Sequence, residues 1–381
     1  MQLEQRIWSS QTQAWKTAKT FEQTVQPQLV LVFATASLIA NEPLLNQVRE
    51  WYPHSIITGC STSGEIANGF IENESMVVTA LYFEKSSILA RTKQINDANE
   101  SLDVGAKLIQ QLPFEGLKHV LVLSEGLHIN GTKLVEGMMQ SLPKSISVTG
   151  GLAGDGADFK ETFILHPETG AVKDLVVAVG IYGADFKVGY GSCGGWDIFG
   201  VERLVTKSVN NVLYEIDNAP ALSLYKSFLG ELATQLPSSG LLFPLSIRTV
   251  ANEEPIVRTI LAIDEATQSL TFAGDIPEGS YVKLMKANIN HLVDGAHTAA
   301  ERSRTTMGET EPEFALLVSC VGRKLVMKQM TEEEIEAVHD VLGLDTVLSG
   351  FYSYGEIAPF NKNGSCSLHN QTMTITTFSE K

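Results

Sequence analysis

Cysteine is scarce in this 381-residue chain, and the four present (Cys60, Cys193, Cys320, Cys366) lie far apart with no CxxC pair. That spacing argues against a zinc knuckle, a thioredoxin-like site and a disulfide framework. Positive charge is also short: 28 Lys and Arg stand against 44 Asp and Glu, for a net charge of −16. Such a surface repels phosphate backbones, and no basic stripe offsets it, so neither nucleic acid nor an anionic membrane is expected as a partner. Long apolar runs are missing too. The longest, such as Leu29 to Ala34 and Leu175 to Tyr182, are strand-sized and too short to span a bilayer. The amino terminus has no apolar segment after a basic start, so it does not read as a secretory signal, and a cytoplasmic location is expected.

Catalytic motifs are absent as well. There is no HExxH, no GxxxxGK[ST], and no acid–base pair set apart by its spacing, so the chain does not read as an enzyme. Gly189-Tyr190-Gly191-Ser192-Cys193-Gly194 matches GxGxxG, but the following Gly195-Trp196-Asp197 does not begin a helix. A dinucleotide site needs that helix end, so the segment reads as a turn between strands.

What is present is a repeat. Leu29–Ala34 (LVLVFA) leads to apolar residues at helical spacing (Leu44, Leu45, Val48, Trp51), then to Pro53–Gly59 and the strand-like Met76–Phe83. The pattern returns as Val120–Leu123, a helix through Leu134, Val135, Met138 and Met139, Pro143–Gly150 and Leu175–Tyr182. It returns again as Phe314–Val318, a helix through Ile335, Val338 and Leu342, Val347–Gly350, and Gln371–Phe378. Stripes at period 3.6 alternate with short apolar runs, which predicts an α/β fold: two lobes with mixed sheets covered by helices, built from repeated β-α-β units. The division expected is a helical segment over residues 1–28, a first lobe over 29–212 and a second over 213–381. Gln371–Phe378 alternates polar with apolar residues, as a half-exposed antiparallel strand would.

The loops after the second strand of each unit carry the candidate site. Gly59-Cys60-Ser61-Thr62-Ser63-Gly64-Glu65-Ile66 and Gly350-Phe351-Tyr352-Ser353-Tyr354-Gly355-Glu356-Ile357 share GxxxxGEI, and Gly150–Gly156 is a variant. Glycine allows a second backbone or a ligand to come close. The ligand-binding candidates are therefore Gly59, Cys60, Ser61, Ser63, Glu65, Gly154, Asp155, Tyr352, Tyr354 and Glu356. For Cys60 the plainer role is a small buried hydrophobe, and for Glu65, Glu356 and Asp155 a carboxylate satisfying loop N–H groups. For Tyr352 and Tyr354 it is core packing.

TGCSTSGEI at 58–66, SEGLHINGTKLVEG at 124–137 and GGLAGDGADF at 150–159 resemble the amino-terminal half of FIST sensory domains. LYEIDNAPALSLYKSFLG at 213–230, GFYSYGEIAPF at 350–360 and LHNQT at 368–372 resemble the carboxy-terminal half. The resemblance implies a stand-alone intracellular sensor that binds a small ligand and acts on a separate signalling partner. In NosP-type members the ligand is haem, the signal nitric oxide and the partner a histidine kinase. The alternatives are an amino acid or other metabolite as ligand, or an enzyme working in the inter-lobe cleft; a homo-oligomer is compatible with each. Haem needs an axial ligand. No CxxCH is present. His297, on the flank of an amphipathic helix, is the first candidate, with His339 and His369 as alternatives.

Overall fold

The repeat is structural as well as sequential, and it has three copies. A computed structural model describes residues 1–249, 255–359 and 365–380. In the first unit Leu29–Ala34 pairs in parallel with Ile56–Ser61, and Ser75–Tyr82 runs antiparallel beside them. Leu117–Ser124, Ser147–Leu152 and Leu175–Tyr182 repeat that arrangement in the second unit. Phe314–Cys320, Val347–Ser353 and Met373–Ser379 repeat it in the third. An outer strand flanks each last strand: Gln2–Ser9, Ser87–Gln94 and Lys187–Cys193.

Each unit then gives its hairpin away. Glu65–Ala67 and Phe70–Glu72 of the first unit extend the third unit's sheet at Val347–Ser353. Ile164–His166 and Gly170–Val172 of the second extend the first at Ile56–Ser61. Gly355–Pro359 and Cys366–His369 of the third extend the second at Ser147–Leu152. The exchange is cyclic and closed, so no unit completes its sheet alone.

Every sheet has an outer face under helices and an inner face toward the other two. Outside, Glu42–Trp51 buries Leu44, Leu45 and Val48 on the first sheet, capped by the Asn41 side chain accepting from Leu44 N–H. Each such side chain contributes roughly 1.5–3 kcal/mol when fully buried. Ser101–Gln110 and Gly131–Ser141 cover the second sheet, and Ile289–Met307 with Thr331–Leu342 cover the third. Inside, Leu31, Phe33, Leu121, Val179, Leu316, Phe351 and Phe378 from all three units share one core. Gly59, Gly150 and Gly350 sit at the same register opposite Val32, Val122 and Leu317. A Cβ at any of the three would come within 2 Å of that residue's carbonyl oxygen, which explains the repeated glycine.

The second lobe is inserted between the outer strand and the first helix of the third unit. From Asp197 to Lys286 it forms an eight-stranded sheet with the helix Ala221–Leu229. Its core, including Leu213, Leu222, Tyr225 and Phe272, is its own.

Several expectations are corrected by these elements. Residues 1–28 hold no helix but the strands Gln2–Ser9 and Ala14–Lys19. The position 212/213 falls inside the strand Val212–Ile216 of the inserted lobe, and the third unit begins upstream at Lys187. The GxGxxG segment is largely strand Lys187–Cys193, not a turn. Its glycines serve helix Ile289–Met307: a Cβ on Gly189 or Gly191 would lie 2.2 Å from the Ser303 or Ala299 carbonyl oxygen. The final strand, Met373–Ser379, is antiparallel but buried throughout. Its threonines are paired, Thr374 with Ser192 on the neighbouring strand and Thr376 with Thr149 of the second unit's sheet.

Candidate functional site

The three glycine loops converge where the parallel strand pairs end. Ser63, Gly154 and Tyr354 each lie four residues past the repeated glycine, and a Cβ on Gly154 would meet Ser63 Oγ at 2.5 Å and the Tyr354 ring at 3.4 Å. Ser63 N–H donates to the Tyr352 carbonyl (2.9 Å), Tyr352 N–H to that of Gly64 (2.8 Å), and Gly154 N–H to that of Ser61 (2.9 Å). Ser63 Oγ accepts from Gly156 N–H at 3.0 Å.

Glu65 and Glu356 lie beneath this junction, fully buried. Thr62 and Ser75 hydroxyls donate to Glu65. Ser353 donates to Glu356 at 2.7 Å, and Thr372 does so through its N–H and hydroxyl. Ser75 and Thr372 occupy the same place in their units, so the two networks are copies. The middle unit has Gly156 at the carboxylate position and Leu175 at the hydroxyl position, and has lost both partners together. Burial pushes Glu65 up to about 7 and Glu356 up to about 8, against the pull of their hydroxyl donors.

The remaining loop residues are also engaged within the chain. Cys60 is wholly buried in the shared core, and burial pushes its thiol up. Ser61 Oγ accepts from Phe163 N–H. Asp155 accepts from the N–H groups of Phe159, Lys160 and Glu161 and from the Tyr354 hydroxyl. Tyr354 stacks on Phe159 with ring centroids 4.5 Å apart. The Tyr352 hydroxyl donates to Glu334, which also pairs with Arg323; both charged side chains are fully buried. Arg323 further donates to the carbonyls of Gly194 and Leu292, at the two necks of the inserted lobe.

Above the junction, between the first and second units, opens a polar cleft of about 570 Å³. Of the sequence candidates it takes in Ser63 and Asp155. It adds Thr35, Ser37, Asn73 and Lys324, which no motif marked. The one available signal was a pair of adjacent cations, Arg323-Lys324, inside an apolar run of an acidic chain. Lys324 Nζ donates to the Ser63 carbonyl at 2.7 Å and to Asn73 Oδ1 at 2.6 Å. Desolvation lowers its pKa, opposed by the field of Glu65.

The three histidines proposed for haem are not brought together, and none lines the cleft. His297 is 46% exposed beside Glu301. The His339 ring lies against Gly69, and His369 Nε2 is bonded to the Ala358 carbonyl. Among the described residues, this cleft therefore has no histidine on its wall to serve as an axial ligand. Glu125, His128 and Asp174 place ligand atoms within 4.8 Å of one another, but the Glu125 oxygens already accept from the N–H groups of Leu127 and His128.

Three interlocked α/β units surround a shared core, with a polar cleft at their loop junction. The FIST N domain family matches residues 28–219 and the FIST C domain family residues 221–359, and the chain belongs to the FIST family, whose domains are generally sensory. The chain is 23% identical over 340 residues to an uncharacterised protein, MJ1623, of Methanocaldococcus jannaschii. That match covers 80% of this chain but 62% of the relative, so the chain spans less than two thirds of that protein's length. Among solved structures it is similar to a chorismatase (9% identity, 99% of this chain and 98% of that one, TM-score 0.36). It is also similar to a cyanuric acid hydrolase from A. caulinodans (8% identity, 93% and 90%, TM-score 0.33). No described helix is long and apolar enough to cross a membrane.

Proposed function

We propose that this FIST protein is a sensor that takes a small polar metabolite into the cleft between its first and second units. Its occupancy is passed by contact to a separate signalling partner. The observation behind this reading is the cleft itself: about 570 Å³, walled by the hydroxyls of Thr35, Ser37 and Ser63, by carboxylates, and by the Lys324 amine. Walls rich in both donors and acceptors suit a hydroxylated compound or an amino acid. Helix Val321–Met327 offers a route for the signal, since Lys324 faces the cleft while Arg323 holds both necks of the inserted lobe.

A thermal-shift screen of amino acids, sugars and small organic acids tests it. A ligand at a hundred times its Kd stabilises by about 2.7 kcal/mol. Ser37 is exposed on the cleft wall, so Ser37→Trp should fill the space without disturbing the core and abolish the shift. A library without a hit, or a hit that survives Ser37→Trp, rejects the cleft.

A further inference from the structure

We propose that Lys324 captures its ligand covalently, its amine condensing with the carbonyl of a small hydroxy-aldehyde held in the cleft. This rests on the cleft being the ligand site and narrows what enters it.

The partners of the amine are the first reason. Among the described residues, no carboxylate lies within ion-pairing distance of Lys324, unlike Lys133, Lys173 or Lys226. Its two acceptors are neutral carbonyl oxygens, of Ser63 and Asn73. A neutral primary amine has two N–H groups, so those acceptors take both and the lone pair remains. Access is the second reason. A Cβ on Gly64 would lie 2.0 Å from Nζ, and glycine there leaves the nitrogen open. Burial of the side chain favours the neutral amine as well. The Tyr352 ring, 5.3 Å from Nζ, pulls the other way and favours the ammonium.

The chemistry balances without a further reactant. The Nζ lone pair attacks the carbonyl carbon, a C–N bond forms, and the carbonyl oxygen becomes a hydroxyl. The carbinolamine then loses that hydroxyl and the nitrogen proton as water, leaving an imine; nothing is oxidised or reduced. Thr62 lines the cleft and donates to Glu65, so this pair is placed to relay the protons. The walls select the carbonyl compound. Glu74, Asp155, Asp158 and Glu161 outnumber Lys160 and Lys324, which disfavours an anionic oxo-acid and supplies acceptors for ligand hydroxyls.

Glycolaldehyde with sodium cyanoborohydride at neutral pH, followed by peptide mapping, tests the step. A depressed amine pKa raises the neutral, nucleophilic fraction at a given pH. Lys324 should therefore be labelled to one equivalent, faster than the exposed Lys160, and faster with glycolaldehyde than with glyoxylate. Ser37→Trp should slow labelling at Lys324 and leave Lys160 unchanged. Labelling no faster than at Lys160, or unaffected by Ser37→Trp, overturns the proposal. If glycolaldehyde raises the melting temperature without an adduct at Lys324, the covalent step falls and the cleft stands. If nothing, glycolaldehyde included, acts through the cleft, both fall.

Discussion

Asn73-Glu74 in the first unit and Asn370-Gln371 in the third occupy the same place, just ahead of the last strand. Both Glu74 (φ +50) and Gln371 (φ +63) hold left-handed backbone. Their surroundings are opposite. Asn73 and Glu74 line the open cleft, whereas Asn370 and Gln371 are wholly buried. Gln371 Nε2 donates to the Leu241 carbonyl and to Thr259 Oγ1, both in the inserted lobe. Trp196, at the neck, donates back to the Gln371 carbonyl. One loop geometry thus serves as a wall in one unit and as a lobe anchor in another. A threefold repeat lets one face be closed by an insertion while its counterpart stays open.

The largest way to break that contrast is to unfasten the lobe. Arg323→Met leaves Glu334 buried without its cation and releases the carbonyls of Gly194 and Leu292. Breaking a buried pair from one side costs about 3–5 kcal/mol. Arg203→Met, which removes an exposed partner of Asp217, should cost about 0–1 kcal/mol. Urea melts of the two variants give the comparison, and equal losses would mean that Arg323 does not hold the lobe.

Glu65 and Glu356 test whether the two junction networks are equivalent despite the lobe over one of them. Both are raised from the usual carboxylate range, to about 7 and about 8. Between that range and those values the folded chain binds more protons than the unfolded one. Stability from these groups is therefore fully present at acid pH and is lost as pH rises through 7 and 8. The size is on the order of 3 kcal/mol for each. Melts at pH 5 and pH 8 should show this loss, and Glu65→Gln and Glu356→Gln should each reduce it. A variant with the wild-type slope would show its carboxylate ionised when folded.

Much of this was legible in the sequence, and the misses have particular causes. The strands and helices of the repeat carry period and length, and the GxxxxGEI loops mark where units meet. The strand Gln2–Ser9 was obscured because Gln5, on its inward face between Leu3 and Ile7, is polar. Its Nε2 donates to Thr79 Oγ1 and to the Leu348 carbonyl, contacts no local pattern announces. The exchanged hairpins have three-residue strands in two of the three units, and their partners lie in other units. Threonines in Met373–Ser379 read as exposed but are buried, Thr374 bonded to the neighbouring strand and Thr376 to another unit's sheet. Lys324 reaches the cleft only because the first unit's loop crosses to the third.

The smallest test asks the two equivalent left-handed residues to answer with opposite signs. Glu74 has a backbone carbonyl that accepts from Ser10 N–H, a bond that glycine would retain. Relief of a non-glycine residue from left-handed backbone is of order 1 kcal/mol, partly offset by the greater freedom of glycine in the unfolded chain. Glu74→Gly should therefore be neutral or stabilise by up to about 1 kcal/mol. Gln371→Gly gains the same relief but loses two buried hydrogen bonds and leaves Thr259 and the Leu241 carbonyl without that donor. Each unsatisfied buried group costs about 1–3 kcal/mol, so the net change should be a loss of about 1 kcal/mol or more. Equal responses would mean that the lobe rests on the third unit without drawing stability from Gln371.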